Sequence, residues 1–114
     1  MWTAGCYNCR NTFPYLRQWD AKYRAKGLVI VGVDTPEFDY ERSPQYVKEA
    51  LAKFNLKYPV ITDNDYRMWH AYHNEYWPTL YLIDKKGDIR YLHIDEGAYD
   101  EIDRTIARLL AEPN

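Results

Sequence analysis

The stretch TAGCYNCRNTFP, residues 3–14, contains the only two cysteines of the 114-residue chain. Two residues separate Cys6 from Cys9, and Pro14 follows five positions after the second cysteine. At the start of a helix such a pair has a chemical use, because the unpaired N–H groups and the positive end of the helix dipole stabilise a thiolate over a thiol. The spacing therefore predicts that Cys6 attacks a disulfide and that Cys9 resolves the mixed disulfide.

Metal binding is the other use of a Cys-x-x-Cys pair. A tetrahedral zinc ion needs four ligands, but the chain has no second paired motif and only three histidines, His70, His73 and His93. A carrier that holds Cu(I) between the two cysteines and a histidine such as His93 stays open as an alternative. The dithiol reaction itself requires no metal and no organic cofactor.

Composition indicates one globular domain over residues 1–114. Hydrophobic residues make up 46% of the chain, and the formal net charge is -2 with both signs mixed along the sequence. There is no basic stripe for nucleic acid and no polybasic segment for a membrane surface. No apolar run approaches the roughly 20 residues of a membrane span, so this segment is not expected to insert into a membrane.

Hydrophobic periodicity predicts an α/β layered fold. Helices are predicted for residues 8–26, with a bend at Pro14 and a left-handed cap at Gly27, and for residues 44–56, 65–76 and from about 99 onward. Strands are predicted for residues 28–34, 58–62, 79–84 and 89–95. The first strand is continuously apolar, which is typical of a parallel strand covered on both faces. The last two strands flank KKGD, which predicts an antiparallel hairpin.

The segment WTAGCYNCRNTFP resembles the active-site segment of thioredoxin-fold proteins, with Trp2 four residues before Cys6. The likeness continues through LVIVGVDTPEF, YPVITDND, YWPTLYLID and KKGDIRYLHIDEG, so it covers nearly the whole chain. In order and spacing these segments are similar to the TlpA/ResA-like thioredoxins, and most of all to the soluble C-terminal thioredoxin domain of DipZ-like membrane proteins. The resemblance implies a thioredoxin-like α/β fold with a central mixed sheet flanked by helices.

The resemblance also implies roles for individual residues. Pro78 matches the cis-proline that lies opposite the cysteine pair, where the backbone beside Trp77 and Pro78 pairs with an extended substrate. Trp2 is likewise expected to contact substrate. Glu37 matches an acidic residue that assists proton movement, although a solvated loop carboxylate is an equal alternative.

Glu96 follows the predicted hairpin, at the place where the resembled fold brings a loop near the proline. It is therefore a further candidate for substrate binding, while the adjacent Gly97 is explained by a turn.

A thiol-disulfide oxidoreductase is the function that the resemblance implies. Its Cys-Tyr-Asn-Cys dithiol would exchange electrons with a partner protein's dithiol or disulfide, including a membrane electron-transfer domain. The resemblance alone implies an extracytoplasmic location. The chain itself shows neither a secretory signal nor an anchor. A peroxiredoxin-like thiol peroxidase is the alternative enzyme, because Thr3 to Cys6 satisfy a Thr-x-x-Cys pattern; the upstream proline of such enzymes has no place here.

One departure from the resembled pattern concerns the sheet. Thioredoxin folds place a buried strand directly before the tryptophan of the motif, whereas Met1 is the only residue before Trp2 in this sequence. Without that central strand, backbone groups on both sides of its slot would lack partners. We therefore predict that the chain is a fragment of a longer protein, truncated at its N-terminal side, or that something else fills the slot.

Overall fold

The computed structural model describes residues 1–114, and its elements follow the predicted order. The α-helices are α1 (Tyr7–Tyr23), α2 (Pro44–Lys53), α3 (Arg67–Ala71) and α4 (Tyr99–Ala111). The strands are β1 (Gly32–Asp34), β2 (Val60–Thr62), β3 (Thr79–Ile83) and β4 (Ile89–Ile94). Short 3₁₀ helices span Arg24–Lys26 and Asp39–Arg42. The alternation of helices and strands confirms the α/β fold class.

The strands have the directions of a mixed sheet, but they form two separate halves. β1 pairs parallel with β2, and β3 pairs antiparallel with β4. Only Met1 and Trp2 stand between the halves: the Trp2 N–H donates to the Val33 carbonyl at 2.9 Å, and the Thr79 N–H donates to the Met1 carbonyl at 3.0 Å. The structure therefore has the gap that the sequence predicted in the central sheet, because the middle position is occupied over two residues only.

An apolar cavity of about 620 Å³ extends from Met1 and Trp2 between the two halves of the sheet. It is lined by residues 28–31 on one side, by residues 80–83 on the other, and by Leu16 and Trp19 of α1. β1 begins at Gly32 instead of the predicted residue 28, since residues 28–31 have no neighbouring strand to pair with. Val29 is 73% exposed, so the prediction that this run is covered on both faces is wrong there.

The helices predicted for residues 44–56 and 65–76 end earlier than predicted, because a residue near each end adopts a left-handed backbone conformation. α2 ends at Lys53, before Asn55 (φ 55°), and α3 ends at Ala71, before His73 (φ 52°). β2 begins at Val60 instead of residue 58. Pro14 lies inside α1, and Gly27, at φ 112°, caps the 3₁₀ turn that follows α1, as predicted. None of these helices combines the length and the hydropathy that crossing a bilayer requires.

One of the two buried clusters holds the Cys-x-x-Cys segment in place. Its members pack α1 and the segment before it against α2 and the residues that lead to β2; they are Trp2, Ala4, Cys9, Phe13, Ala50, Leu56 and Tyr58. Cys9 and Phe13, one helical turn apart on α1, are 0% and 1% exposed. Trp2 meets Phe13 edge to face, with ring centroids 5.3 Å apart. The N-terminal end of α1 is therefore anchored by its inner face, while its first residues remain accessible.

Candidate active site

Cys6 is the N-cap residue of α1, as the motif predicted. Its backbone is extended (φ -89°, ψ 118°), and its sulfur accepts a hydrogen bond from the Cys9 N–H at 3.2 Å. The side chain is half-buried, so one side of the sulfur can be reached from solvent. This is the position where unpaired helical N–H groups and the helix dipole favour a negative charge.

The surroundings of Cys6 lower its pKa to about 7, and the hydrogen bond with the Cys9 side chain makes the largest contribution. Partial burial acts in the opposite direction, and the backbone N–H groups of Cys9 and Asn8 add to the lowering. The charge on Glu37 also acts in the opposite direction. Near neutral pH a substantial fraction of Cys6 is therefore the nucleophilic thiolate.

Cys9 has the opposite environment. It is completely buried, and burial raises its pKa, with the hydrogen bond to Cys6 adding to the rise. The backbone N–H of Thr3 is the main group that acts against this rise. The pKa of Cys9 is therefore raised while that of Cys6 is lowered, so the two sulfurs differ both in burial and in their tendency to ionise.

Trp77 and Pro78 belong to the same region. The Trp77-Pro78 peptide bond is cis, as the resemblance implied. The Trp77 indole N–H donates to the Thr35 carbonyl at 2.8 Å, and its ring packs tilted against Trp69, with ring centroids 4.2 Å apart. Trp77 and Cys6 both pack against the buried cluster that contains Cys9. The cis-proline segment and the nucleophile are thus held by one set of core residues.

The three other candidate residues lie in different surroundings. Glu37 is exposed, and its charge is close enough to act on the pKa of Cys6. Glu96 accepts a hydrogen bond from the Asn11 side chain of α1 at 3.0 Å, which places it beside the second turn of that helix. Trp2 is only 5% exposed. The expectation that Trp2 contacts substrate is therefore corrected: it is a core residue that supports α1 from below.

The histidine considered for Cu(I) binding is engaged elsewhere. The Nε2 atom of His93 lies 3.2 Å from the Glu96 carbonyl oxygen. No group of three His, Cys, Asp or Glu side chains converges in a metal-binding arrangement.

A buried polar group beneath the cysteines was not expected from the sequence. Glu41 is 1% exposed, and its carboxylate accepts hydrogen bonds from the Thr3 hydroxyl and from the Gly5 N–H at 2.9 Å. Residues 35–42 lie between the strand predicted for residues 28–34 and the helix predicted for residues 44–56, and an acidic residue in such a connection is usually solvated. Glu41 is flanked by Asp39, Tyr40 and Arg42, so no hydrophobic periodicity predicts that it is buried. Only the folded structure reveals its contacts with Thr3 and Gly5.

Glu37 provides a direct test of the electrostatics at Cys6. Its charge raises the pKa of Cys6, so Glu37→Gln is expected to move the midpoint of Cys6 alkylation from about pH 7 to a lower pH. The expected displacement is up to about 0.5 pH unit, the scale of an interaction between partly solvated charges. The measurement is the rate of iodoacetamide reaction between pH 5 and 9 in the Cys9→Ser background.

Glu112→Gln is the matched control, since that carboxylate pairs with Arg90. An unchanged midpoint in Glu37→Gln would contradict the proximity of Glu37 to the thiolate, and an equal shift in both variants would point to overall charge instead.

Comparison with known proteins identifies relatives over nearly the whole chain. Protein DipZ of Mycobacterium tuberculosis is 37% identical over 109 residues, which are 96% of this chain and 16% of that protein. The thiol-disulfide oxidoreductase YkuV of Bacillus subtilis is 28% identical over 111 residues, 97% of this chain and 74% of YkuV. The chain therefore spans about one sixth of the DipZ protein that it matches.

Solved structures agree with the sequence relatives. A thioredoxin-like protein whose solution structure was determined in the oxidised form superimposes with a TM-score of 0.87 at 27% identity, over 99% of this chain and 76% of that one. The thioredoxin-like fold is confirmed by this match. Residues 1–107 match the Redoxin family. The cysteine pair at a helix N-terminus and the cis-proline segment packed on the same core agree with this match. Because the match covers nearly the whole chain, the chain belongs to the Redoxin family.

Proposed function

We propose that this domain is a thiol-disulfide oxidoreductase that exchanges electrons with protein disulfides. The division of labour between the two sulfurs carries the proposal: Cys6 is reachable and has a pKa lowered to about 7, while Cys9 is buried with its N–H 3.2 Å from the Cys6 sulfur. A buried thiol cannot reach a partner protein, but it can reach its neighbour. Cys6 therefore attacks the partner disulfide, and Cys9 attacks the sulfur of Cys6.

The proposed reaction has two balanced exchange steps. The Cys6 thiolate attacks one sulfur of the partner disulfide, a Cys6–partner bond forms, and the second partner sulfur leaves as a thiolate. Cys9 then loses its proton and attacks the Cys6 sulfur, so that the Cys6–Cys9 disulfide forms and the first partner sulfur leaves. Overall the domain loses two electrons and the Cys9 proton, and the partner gains two electrons and leaves as two thiolates that take up protons from solvent. The reverse sequence oxidises a partner dithiol.

The partner is proposed to present an extended segment beside Trp77 and Pro78. Trp77 is half-buried and packs against the same buried cluster as Cys6, and Glu37, whose charge acts on the pKa of Cys6, is the candidate for proton transfer. Glu96 is proposed to contact the partner from the loop that follows β4. These roles rest on the resemblance together with the positions of the residues.

The wider setting is proposed from the relatives. The match to a small part of DipZ supports a membrane electron-transfer domain as one partner. An extracytoplasmic location follows from the same likeness to the DipZ-like and ResA-like proteins.

The decisive experiment equilibrates the Cys6 and Cys9 pair with glutathione redox buffers and measures the fraction of intramolecular disulfide by mass after acid quenching. We expect one two-electron transition. A potential near the roughly -270 mV of thioredoxin would indicate a donor of electrons to partner disulfides, and one near roughly -120 mV would indicate a disulfide donor. If no intramolecular disulfide forms at any redox potential of the buffer, the proposed function is wrong.

A further inference from the structure

Glu41 is a buried acidic residue that the exchange reaction described above does not use. It lies in the 3₁₀ helix Asp39–Arg42 and is 1% exposed. A carboxylate is costly to bury unless charge or hydrogen bonds compensate for its lost hydration. None of the ion pairs in the structure includes Glu41. Its charge must therefore be stabilised by neutral donors.

Four donors surround the Glu41 carboxylate, two for each oxygen. Oε1 accepts from the backbone N–H groups of Glu37 at 3.0 Å and Phe38 at 2.9 Å. Oε2 accepts from the Gly5 N–H at 2.9 Å and from the Thr3 hydroxyl. An ionised carboxylate only accepts hydrogen bonds, whereas an amide would turn hydrogens toward one pair of these donors. The site thus fits a carboxylate and no isosteric amide.

The residues held by Oε2 are the ones that touch both cysteines. The Thr3 carbonyl accepts from the Cys6 N–H at 3.2 Å, and hydrogen bonding from the Thr3 backbone lowers the pKa of Cys9. Gly5 is packed so closely that an added Cβ would lie 2.9 Å from Oε2. The turn from Thr3 to Cys6 is therefore fastened to Glu41 at two points.

The two sulfurs depend on this turn to different degrees. Cys6 receives its stabilising hydrogen bonds from within α1, namely from Cys9 and Asn8. Cys9 is fully buried, and a backbone donor outside α1, the Thr3 N–H, opposes the effect of that burial. A displaced Thr3 would therefore affect the resolving sulfur much more than the attacking one.

We infer that Glu41 is a positioning residue for the resolving step: it holds Thr3 so that the Thr3 N–H meets the Cys9 sulfur as that sulfur becomes the attacking thiolate. The inference rests on the proposed function. In that step the Cys9 thiol releases its proton to water, the Cys9–Cys6 bond forms, the Cys6–partner bond breaks, and the partner leaves as a thiolate that is then protonated.

A stopped-flow experiment with Ellman's reagent separates the two steps. Attack by Cys6 releases one thionitrobenzoate and leaves a mixed disulfide, and resolution by Cys9 releases the second. In Glu41→Gln we expect the first phase to stay within about twofold of the unmodified protein and the second to slow at least about tenfold, the scale of one hydrogen bond to a charged group. Glu49→Gln, an exposed change on α2, is expected to alter neither phase.

Variants at Thr3 keep the test valid if Glu41→Gln fails to fold. Thr3→Val removes the hydroxyl at similar volume and is expected to slow the second phase. Thr3→Ser retains the hydroxyl, and its second phase is expected to have the rate of the unmodified protein. Equal slowing of both phases, or an unchanged second phase, would overturn the role of Glu41. A missing second phase in the unmodified protein would instead overturn the proposed function itself.

Discussion

Replacing Cys6 by serine is expected to abolish disulfide exchange, whereas replacing Cys9 by serine is expected to arrest it halfway. Cys6 is the half-buried sulfur with the lowered pKa, so Cys6→Ser removes the only thiolate that a partner disulfide can reach. The rate of disulfide reduction should fall at least about a thousandfold, as expected when a nucleophile is removed. In Cys9→Ser the attack still occurs, but nothing resolves its product.

The measurement is intact mass after mixing with excess oxidised glutathione. Cys9→Ser should accumulate one glutathione adduct on Cys6, Cys6→Ser should accumulate none, and the unmodified protein should end as its intramolecular disulfide. Serine is the appropriate replacement at Cys9, because the side-chain hydrogen bond to Cys6 makes the largest contribution to lowering the pKa of Cys6. Cys9→Ala removes that donor and should raise the alkylation midpoint of Cys6 as a matched comparison.

Two results would contradict the assignment. Full turnover of disulfides by Cys9→Ser would show a single-thiol mechanism, as in the peroxidase alternative, and this is checked by measuring peroxide consumption in the same variant. An adduct on Cys9 in Cys6→Ser would reverse the two roles, despite the complete burial of Cys9.

Filling the cavity between the two halves of the sheet is expected to produce the largest gain in stability. Met1 and Trp2 pair antiparallel to β3 and parallel to β1. An extended segment fused ahead of Met1 would continue this register between residues 28–31 and residues 80–83. The cavity of about 620 Å³ has mostly apolar walls, so alternate apolar side chains of the segment would be buried on both faces.

The expected gain is about 3 kcal/mol or more, since each fully buried aliphatic side chain contributes about 1.5–3 kcal/mol. Urea unfolding of the chain with and without a five-residue Val- and Ile-rich extension measures it, and the m-value should rise with the added buried surface. The control extension places prolines at alternate positions, because proline cannot donate to the ladder. Equal stability of the two extensions would contradict a strand in the slot.

The prediction that the chain is part of a longer protein stays a prediction. The fusion experiment tests whether the slot accepts a strand, irrespective of where that strand comes from.

Much of the fold was predictable because its signals are local. Ser43 followed by Pro44 marks the start of α2, the KKGD turn marks the hairpin of β3 and β4, and the apolar stripe of α4 is periodic. Strand lengths were not predictable in the same way, because a strand needs a neighbour. Residues 28–31 have the composition of a strand, but no partner lies beside them.

The sequence by itself determined the chemistry of the first sulfur. The position of Cys6 at a helix N-cap and the two-residue spacing to Cys9 are local properties, and helix geometry converts them directly into a stabilised thiolate beside a second thiol. Only the tertiary structure decided which supporting residues are buried. Trp2, which was expected to contact substrate, lies in the core, and Glu41, in a connection where acidic residues are usually solvated, is buried beneath the cysteines. The reason is physical: burial and hydrogen-bond partners come from segments distant in sequence, and Thr3 and Glu41, 38 positions apart, meet only when the chain has folded.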